Sequence, residues 1–103
     1  MPIDSNTGTA ISLIQAQKLV NDFRTKFPTQ IKGEFVGSNR VNDILDQENC
    51  MGIRIYNGYD EIEKRLSLVL VGVDRNGKDM TAGVIMDRLM PCPATCDASS
   101  ALY

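Results

Sequence analysis

Eight residues in the second half of the chain, Leu66-Ser67-Leu68-Val69-Leu70-Val71-Gly72-Val73, set the problem that the rest of the sequence must solve. The end of this run is apolar at every position and rich in branched side chains, so it has no wet face. A strand of that kind has to be covered on both sides, which makes it the expected central strand of a sheet. Asp74-Arg75-Asn76-Gly77-Lys78 follows at once and is the strongest turn signal in the chain, because Asn-Gly tolerates the positive φ angles of a tight hairpin turn. A partner strand is therefore expected over residues 79–86. On the other side, Ile53 and Ile55 alternate with Arg54 and Tyr56 after Met51, the period of a strand with one wet face. The connection from Asn57 to Lys64 carries Asp60, Glu61 and Glu63 and reads as a solvated loop.

The first half of the chain has the helical period. Ser12 with Gln15 forms a capping box, in which each side chain satisfies a backbone N–H left free at a helix start, and Ile11 is placed to staple onto Ala16. A helix then starts near Leu13, with Ala16, Leu19, Val20, Phe23 and Phe27 as its apolar stripe, and Pro28 ends it. The stretch from Thr29 to Gly37 reads as a connection with a short extended piece at Glu34-Phe35-Val36. Ser38 is positioned to cap a second helix ending near Glu48, with Val41, Ile44 and Leu45 on one face. From Arg88 onward no period is visible. The fold class expected is α+β: two N-terminal helices packed on a small antiparallel sheet of three or four strands, followed by an irregular tail containing cysteine and proline.

At 103 residues, 43% of them hydrophobic and 23% charged, the chain has the make-up of one domain. Residues 11–96 are expected to form it, between a flexible arm over 1–10 and a flexible tail over 97–103. So small a domain buries a modest share of its surface, and a partner copy would add to its stability, so a homo-oligomer is expected. The net charge of −2, with eleven scattered basic residues, lacks the electrostatic footprint of a nucleic-acid binder. No apolar run approaches membrane-spanning length and the start has no signal-like segment, so the expected address is the cytoplasm, without membrane contact. Three cysteines are an odd count in such a chain and fit reduced thiols better than a disulfide framework.

Four phrases stand in an order that resembles a family of short uncharacterised bacterial proteins ending in Pro-Cys-Pro-x-x-Cys. They are Ile11-Ser12-Leu13 leading to Leu19-Val20-Asn21-Asp22-Phe23-Arg24, then Gly52-Ile53-Arg54-Ile55-Tyr56, then Leu68-Val69-Leu70-Val71-Gly72-Val73-Asp74, and the ending Pro91-Cys92-Pro93-Ala94-Thr95-Cys96. The resemblance spans Ile11 to Cys96 and brings with it no activity and no site residues. It implies that the cysteine-bearing tail belongs to the domain.

Candidate chemistry is sparse. Cys50, Cys92 and Cys96 form the one cluster of soft ligands, and zinc is the metal they would suit. A structural zinc site takes four protein ligands, however, so a carboxylate such as Asp97 or a second subunit would have to complete it. The blander reading makes Cys50 a small buried apolar residue and leaves the tail thiols free. With no histidine in the chain, the usual Ser-His and Cys-His nucleophiles are excluded. Asp60 and Glu63 lie in a charged loop where nothing would raise a carboxyl pKa, and they read as solvated surface. The 74–78 segment fails as a calcium loop, since the sixth position is Asp79 and the twelfth Ile85, and no phosphate-binding glycine loop is present. Met80, Met86 and Met90 read as core filling before they read as a partner groove. Tyr56 and Tyr59 are the candidate interaction residues, since tyrosine offers large contact area at small entropic cost.

The reading favoured by these residues is a non-catalytic interaction or assembly module that associates with itself or with another protein. The alternative is a metal-binding or thiol-redox-responsive protein using the three cysteines. An enzyme whose pocket forms between subunits is a third class that no residue pattern supports. If Leu70 lies in a strand buried on both faces, Leu70→Asp buries an unpaired charge, and thermal unfolding followed by circular dichroism should lose its cooperative transition. A cooperative transition at nearly unchanged temperature would contradict the assignment.

Overall fold

The structure is a computed structural model that describes residues 3–92 and 97–103. Its elements, in chain order, are α1 (Leu13–Lys26), β1 (Gly33–Phe35), α2 (Ser38–Leu45), β2 (Cys50–Tyr56), β3 (Tyr59–Asp60), β4 (Arg65–Leu66), β5 (Val69–Asp74), β6 (Ile85–Met86) and β7 (Met90–Cys92). All pairing among the described residues is antiparallel, in one three-stranded and two two-stranded sheets, so the mixed α+β class stands. The chain divides into two compact units, Met1–Thr7 with Val36–Leu89 and Gly8–Phe35 with Met90–Tyr103.

The first unit is built on the run that sequence singled out. β5 lies between β2 and β6, and Leu70, Val71, Gly72 and Val73 are all buried. Side chains alternate along a strand, so Leu70 and Val71, 4% and 3% exposed, are covered from opposite faces. On the Leu70 face the cover is α2, whose Ile44 is fully buried, together with Leu89 and a shell that includes Val36, Cys50, Ile53, Leu68, Val84 and Met86. Ile53 faces Gly72 and Ile55 faces Leu70 in the β2–β5 ladder, which puts both isoleucines on this same side. Of the two helices expected on the sheet, α2 is the one that belongs to its unit; α1 belongs to the other.

The strand expected over 79–86 is mostly absent. After the turn, Val73 and Asp79 form an isolated bridge, Met80 N–H donates to the Gly72 carbonyl at 2.8 Å, and the Gly83 N–H then closes a turn on the Met80 carbonyl at 3.0 Å. Only Ile85 and Met86 rejoin the ladder, opposite Val71 and Leu70. Gln47 takes the place of the missing strand. Its side-chain amide donates to the Ile44 carbonyl at 2.9 Å and its Oε1 accepts the Val84 N–H at 2.8 Å, tying the end of α2 to the segment that enters β6. A Cβ at Gly83 would lie 2.1 Å from Gln47 Oε1, so a side chain there would displace the amide from this position. The predicted turn forms: Gly77 takes φ +80, its N–H donates to the Asp74 carbonyl at 2.9 Å, and Asp74 Oδ1 accepts the N–H groups of Asn76 and Lys78.

In the second unit α1 begins at the expected capping box. The Ser12 hydroxyl accepts the Gln15 N–H at 3.1 Å and Gln15 Oε1 accepts the Ser12 N–H at 2.9 Å. Its buried face is narrower than the predicted stripe. Ala16, Val20 and Phe23 are half-buried, Leu19 is exposed, and Phe27 is exposed while its ring packs against Phe23 at 5.2 Å. The irregular tail expected from Arg88 contains a strand: β7 pairs with β1 in the register Gly33–Cys92, Glu34–Pro91 and Phe35–Met90. A three-residue strand with a central proline shows no period, and proline is tolerated because a two-stranded ladder has only edges. Met90 is exposed here, unlike Met86, so the methionines do not share one role. Further on, Asp97 caps a turn at Ser99, Arg24 donates to the Leu102 carbonyl, and Lys32 Nζ sits 4.1 Å above the Tyr103 ring. No helix is long and apolar enough to cross a membrane.

Because Gln47 Oε1 serves the Val84 N–H while the Ile44 carbonyl also accepts the Gln47 backbone N–H, Gln47→Ala should lower stability in urea unfolding by about 1 kcal/mol. A change near zero would show that water replaces the amide without loss.

Candidate functional site

The functional candidate that geometry brings forward is the outer side of β2. Among the described residues β2 is the longest strand, seven residues long, and it pairs with β5 alone, with no strand on its other edge. A register shift between Cys50 and Gly52 breaks its start, leaving Gly52 to Tyr56 regular. Met51, Gly52, Ile53, Arg54 and Ile55 line a groove of about 390 Å³ with Ile3, Asp4, Ser5, Thr7 and Val73. Alternate residues of a strand point to opposite faces, so five consecutive lining residues bring both sides of β2 to this groove, and Val73 extends it to β5.

Arg54 and Tyr56 share the face of β2 opposite Ile53, across the ladder from Val71 and Val69. Both reach Asp79 beyond the turn. The Arg54 guanidinium donates to Asp79 Oδ1 at 2.5 Å and lies 3.4 and 3.5 Å from the Gly77 carbonyl oxygen, and the Tyr56 hydroxyl donates to Asp79 Oδ2. The Tyr56 hydroxyl, with Arg54 beside it, holds the Asp79 carboxyl below the usual carboxylate range. The same bond to Asp79 raises the Tyr56 phenol, and Asp79 raises the Arg54 guanidinium. Each partner therefore favours the ionisation state that the others already hold at neutral pH. That arrangement suits a fixed pin better than a proton carrier, whose pKa would be drawn toward the working pH.

The residues expected from sequence are distributed differently from one another. Tyr56 is about half exposed and held by Asp79; Tyr59, also exposed, lies on β3 beside a second groove with Asp60, Glu61, Ile62 and Asp87. Asp60 Oδ1 accepts the N–H groups of Glu63 and Ile62, which keep its carboxyl below the usual range, the opposite of what a general acid needs. Cys50 is a free, half-buried thiol whose Sγ donates to the Gly52 carbonyl at 3.2 Å. Cys92, at the end of β7, is disulfide-bonded, in contrast to the reduced thiols expected from the odd cysteine count. An odd count requires only that one thiol be left over, and among the described residues Cys50 is free. Cys96 lies outside the described residues, and among the described residues no three of Cys, Asp and Glu gather as metal ligands would. The Arg54–Asp79–Tyr56 pin was not visible in sequence, since Asp79 is 23 and 25 residues from its partners; the turn placing it opposite β2 was the only available signal.

No family model matches the chain, and neither a curated protein nor a solved structure is similar to it.

The depressed Asp79 carboxyl contributes stability that is present above its unfolded value, about 3.9, and is lost as pH falls through its lower folded value. The raised Tyr56 phenol works in the reverse sense, its contribution being present below about pH 10 and lost as pH rises through the higher folded value. A spectrophotometric tyrosine titration should therefore contain a late phase from Tyr56, and Asp79→Ala should move that phase to lower pH. An unchanged titration would disconnect Tyr56 from Asp79.

Proposed function

We propose that this chain is a non-catalytic assembly module that pairs with a second copy of itself along the free edge of β2. The observation that carries the reading is that edge, long for so small a domain and without a strand partner. An open edge presents a row of unpaired N–H and C=O groups to any other strand, and two identical strands pair antiparallel about a two-fold axis. Proteins usually guard such an edge with charge or proline. The regular part of β2 has no proline and one charged residue, Arg54, which Asp79 already engages.

The sequence of β2 is self-complementary in one register. Within the regular part of the strand, a two-fold axis at Ile53 sets Ile53 against its own copy and Gly52 against Arg54 of the second copy. Apolar residues then face apolar ones on one side, and the glycine leaves room for the guanidinium on the other. An axis at Arg54 would instead oppose two like charges, which is destabilising. The exposed Tyr56 ring stands at the end of the paired segment and supplies contact area there, and Tyr59 offers a further exposed ring for a protein partner. The Cys92 disulfide favours a second reading, a thiol-redox-responsive protein, in which reduction loosens the β1–β7 ladder. That reading gains support if Cys92→Ser changes amide protection along Gly33–Phe35 and fails if it does not.

Gly52 gives the assembly reading a two-sided test, because a Cβ added there meets no atom within 4 Å and its φ is not positive. Gly52→Lys sets like charges against Arg54 of the second copy, and Gly52→Glu sets opposite ones. In sedimentation equilibrium the lysine variant should weaken dimerisation and the glutamate variant strengthen it, each by roughly five- to tenfold. Equal effects of the two charges would contradict the register. Monomeric behaviour of the unsubstituted chain at millimolar concentration would contradict the assembly.

A further inference from the structure

The segment Ile3–Thr7 is separated from Val36–Leu89 in sequence by the whole of α1 and β1, yet it belongs to the same compact unit. Its Ile3, Asp4, Ser5 and Thr7 line one groove together with Met51 to Ile55 of β2 and Val73 of β5. Ile3 is half-buried, and its Cδ1 lies 3.6 Å from where a Cβ on Gly77 would stand, so the apolar end of the segment rests against the turn that follows β5.

Its hydrogen bonds point inward. Thr7 N–H donates to the Asp4 carbonyl at 3.1 Å, Asp4 N–H to Thr7 Oγ1 at 2.9 Å, and Asn6 N–H to Asp4 Oδ1 at 2.8 Å. Among the described residues no backbone bond joins this segment to β2. A closed turn held by itself covers the edge without using the edge's own donors and acceptors. Gly8, which follows, takes φ +122, a conformation that a side-chain-bearing residue seldom adopts.

We infer that Ile3–Thr7 is a displaceable strap that occupies the β2 edge and competes with the second copy for it, an inference that rests on the assembly reading above. The strap walls the groove with no backbone bond to β2, whereas a paired strand would satisfy the row of backbone groups that the strap leaves unused. Self-association is therefore held in check by this segment. Whatever draws the strap away, a partner that grips it or a change at Ile3, promotes pairing.

The test compares the full-length chain with Ile3→Asp, which sets a charge against the turn, and with Thr7→Ala, which opens the strap's own turn without touching β2. Sedimentation equilibrium should show Ile3→Asp dimerising about tenfold more tightly than the unsubstituted chain, and Thr7→Ala moving in the same direction by less. Hydrogen exchange on dilute, monomeric protein should show faster exchange at Met51 to Ile55 in Ile3→Asp, with the core amides of Leu70 to Val73 unchanged as the check that the variant is folded. If the Gly52 charge variants respond as stated but Ile3→Asp and Thr7→Ala associate no more tightly than the unsubstituted chain, the strap is overturned and the assembly stands. If none of these proteins associates at any concentration, the assembly reading fails and takes the strap's competition with it.

Discussion

Burial of β5 on both faces is the constraint on which the first unit depends. Leu70 needs cover on one side and Val71 and Val73 need it on the other, and no single helix can supply both. α2 answers the first need by driving Ile44 into the space above Leu70. On the second face Arg54, Tyr56 and Asp79 are tied together across the ladder from Val71 and Val69. A long side chain held in place by its charged end can shield apolar surface with its stem, so an ion pair on this face also serves as cover.

The same economy explains why β2 is left open. Among the described residues this unit gives β5 two strand neighbours and a helix, while the outer edge of β2 has no strand beside it and Ile3–Thr7 lines the groove there. Small domains bury too little surface to guard every edge internally, and association is the ordinary remedy. In the proposed assembly the two-fold axis at Ile53 would continue the sheet from one copy to the next. The strap would set how readily it does so.

What the sequence made legible follows from how each element is stabilised. The α1 start rests on an exchange between Ser12 and Gln15, three residues apart, and the turn at Gly77 rests on four adjacent residues, so both were readable locally. The central strand was readable because an all-apolar run has few alternatives. The 79–86 segment misled because the hairpin turn before it implied a full partner strand, while Gly83 and the bond from Gly83 N–H to Met80 carried the real information, a second turn. β7 was illegible for a different reason: Met90-Pro91-Cys92 has no period, and its strand character comes entirely from β1, more than fifty residues away in sequence. Gln47 and the Asp79 pin belong to the same class, since polar contacts across long separations leave no pattern in sequence. Of the two tyrosines singled out as contacts, both are exposed, but only Tyr56 lies on the strand that carries the proposed interface.

The most direct test of the central claim is isotope-filtered NMR on an equimolar mixture of labelled and unlabelled chains. Strand pairing about Ile53 predicts contacts between copies confined to Met51 through Ile55, with Gly52 of one copy against Arg54 of the other. Contacts between copies that arise from another surface, or none at concentrations where association is measured, would contradict it.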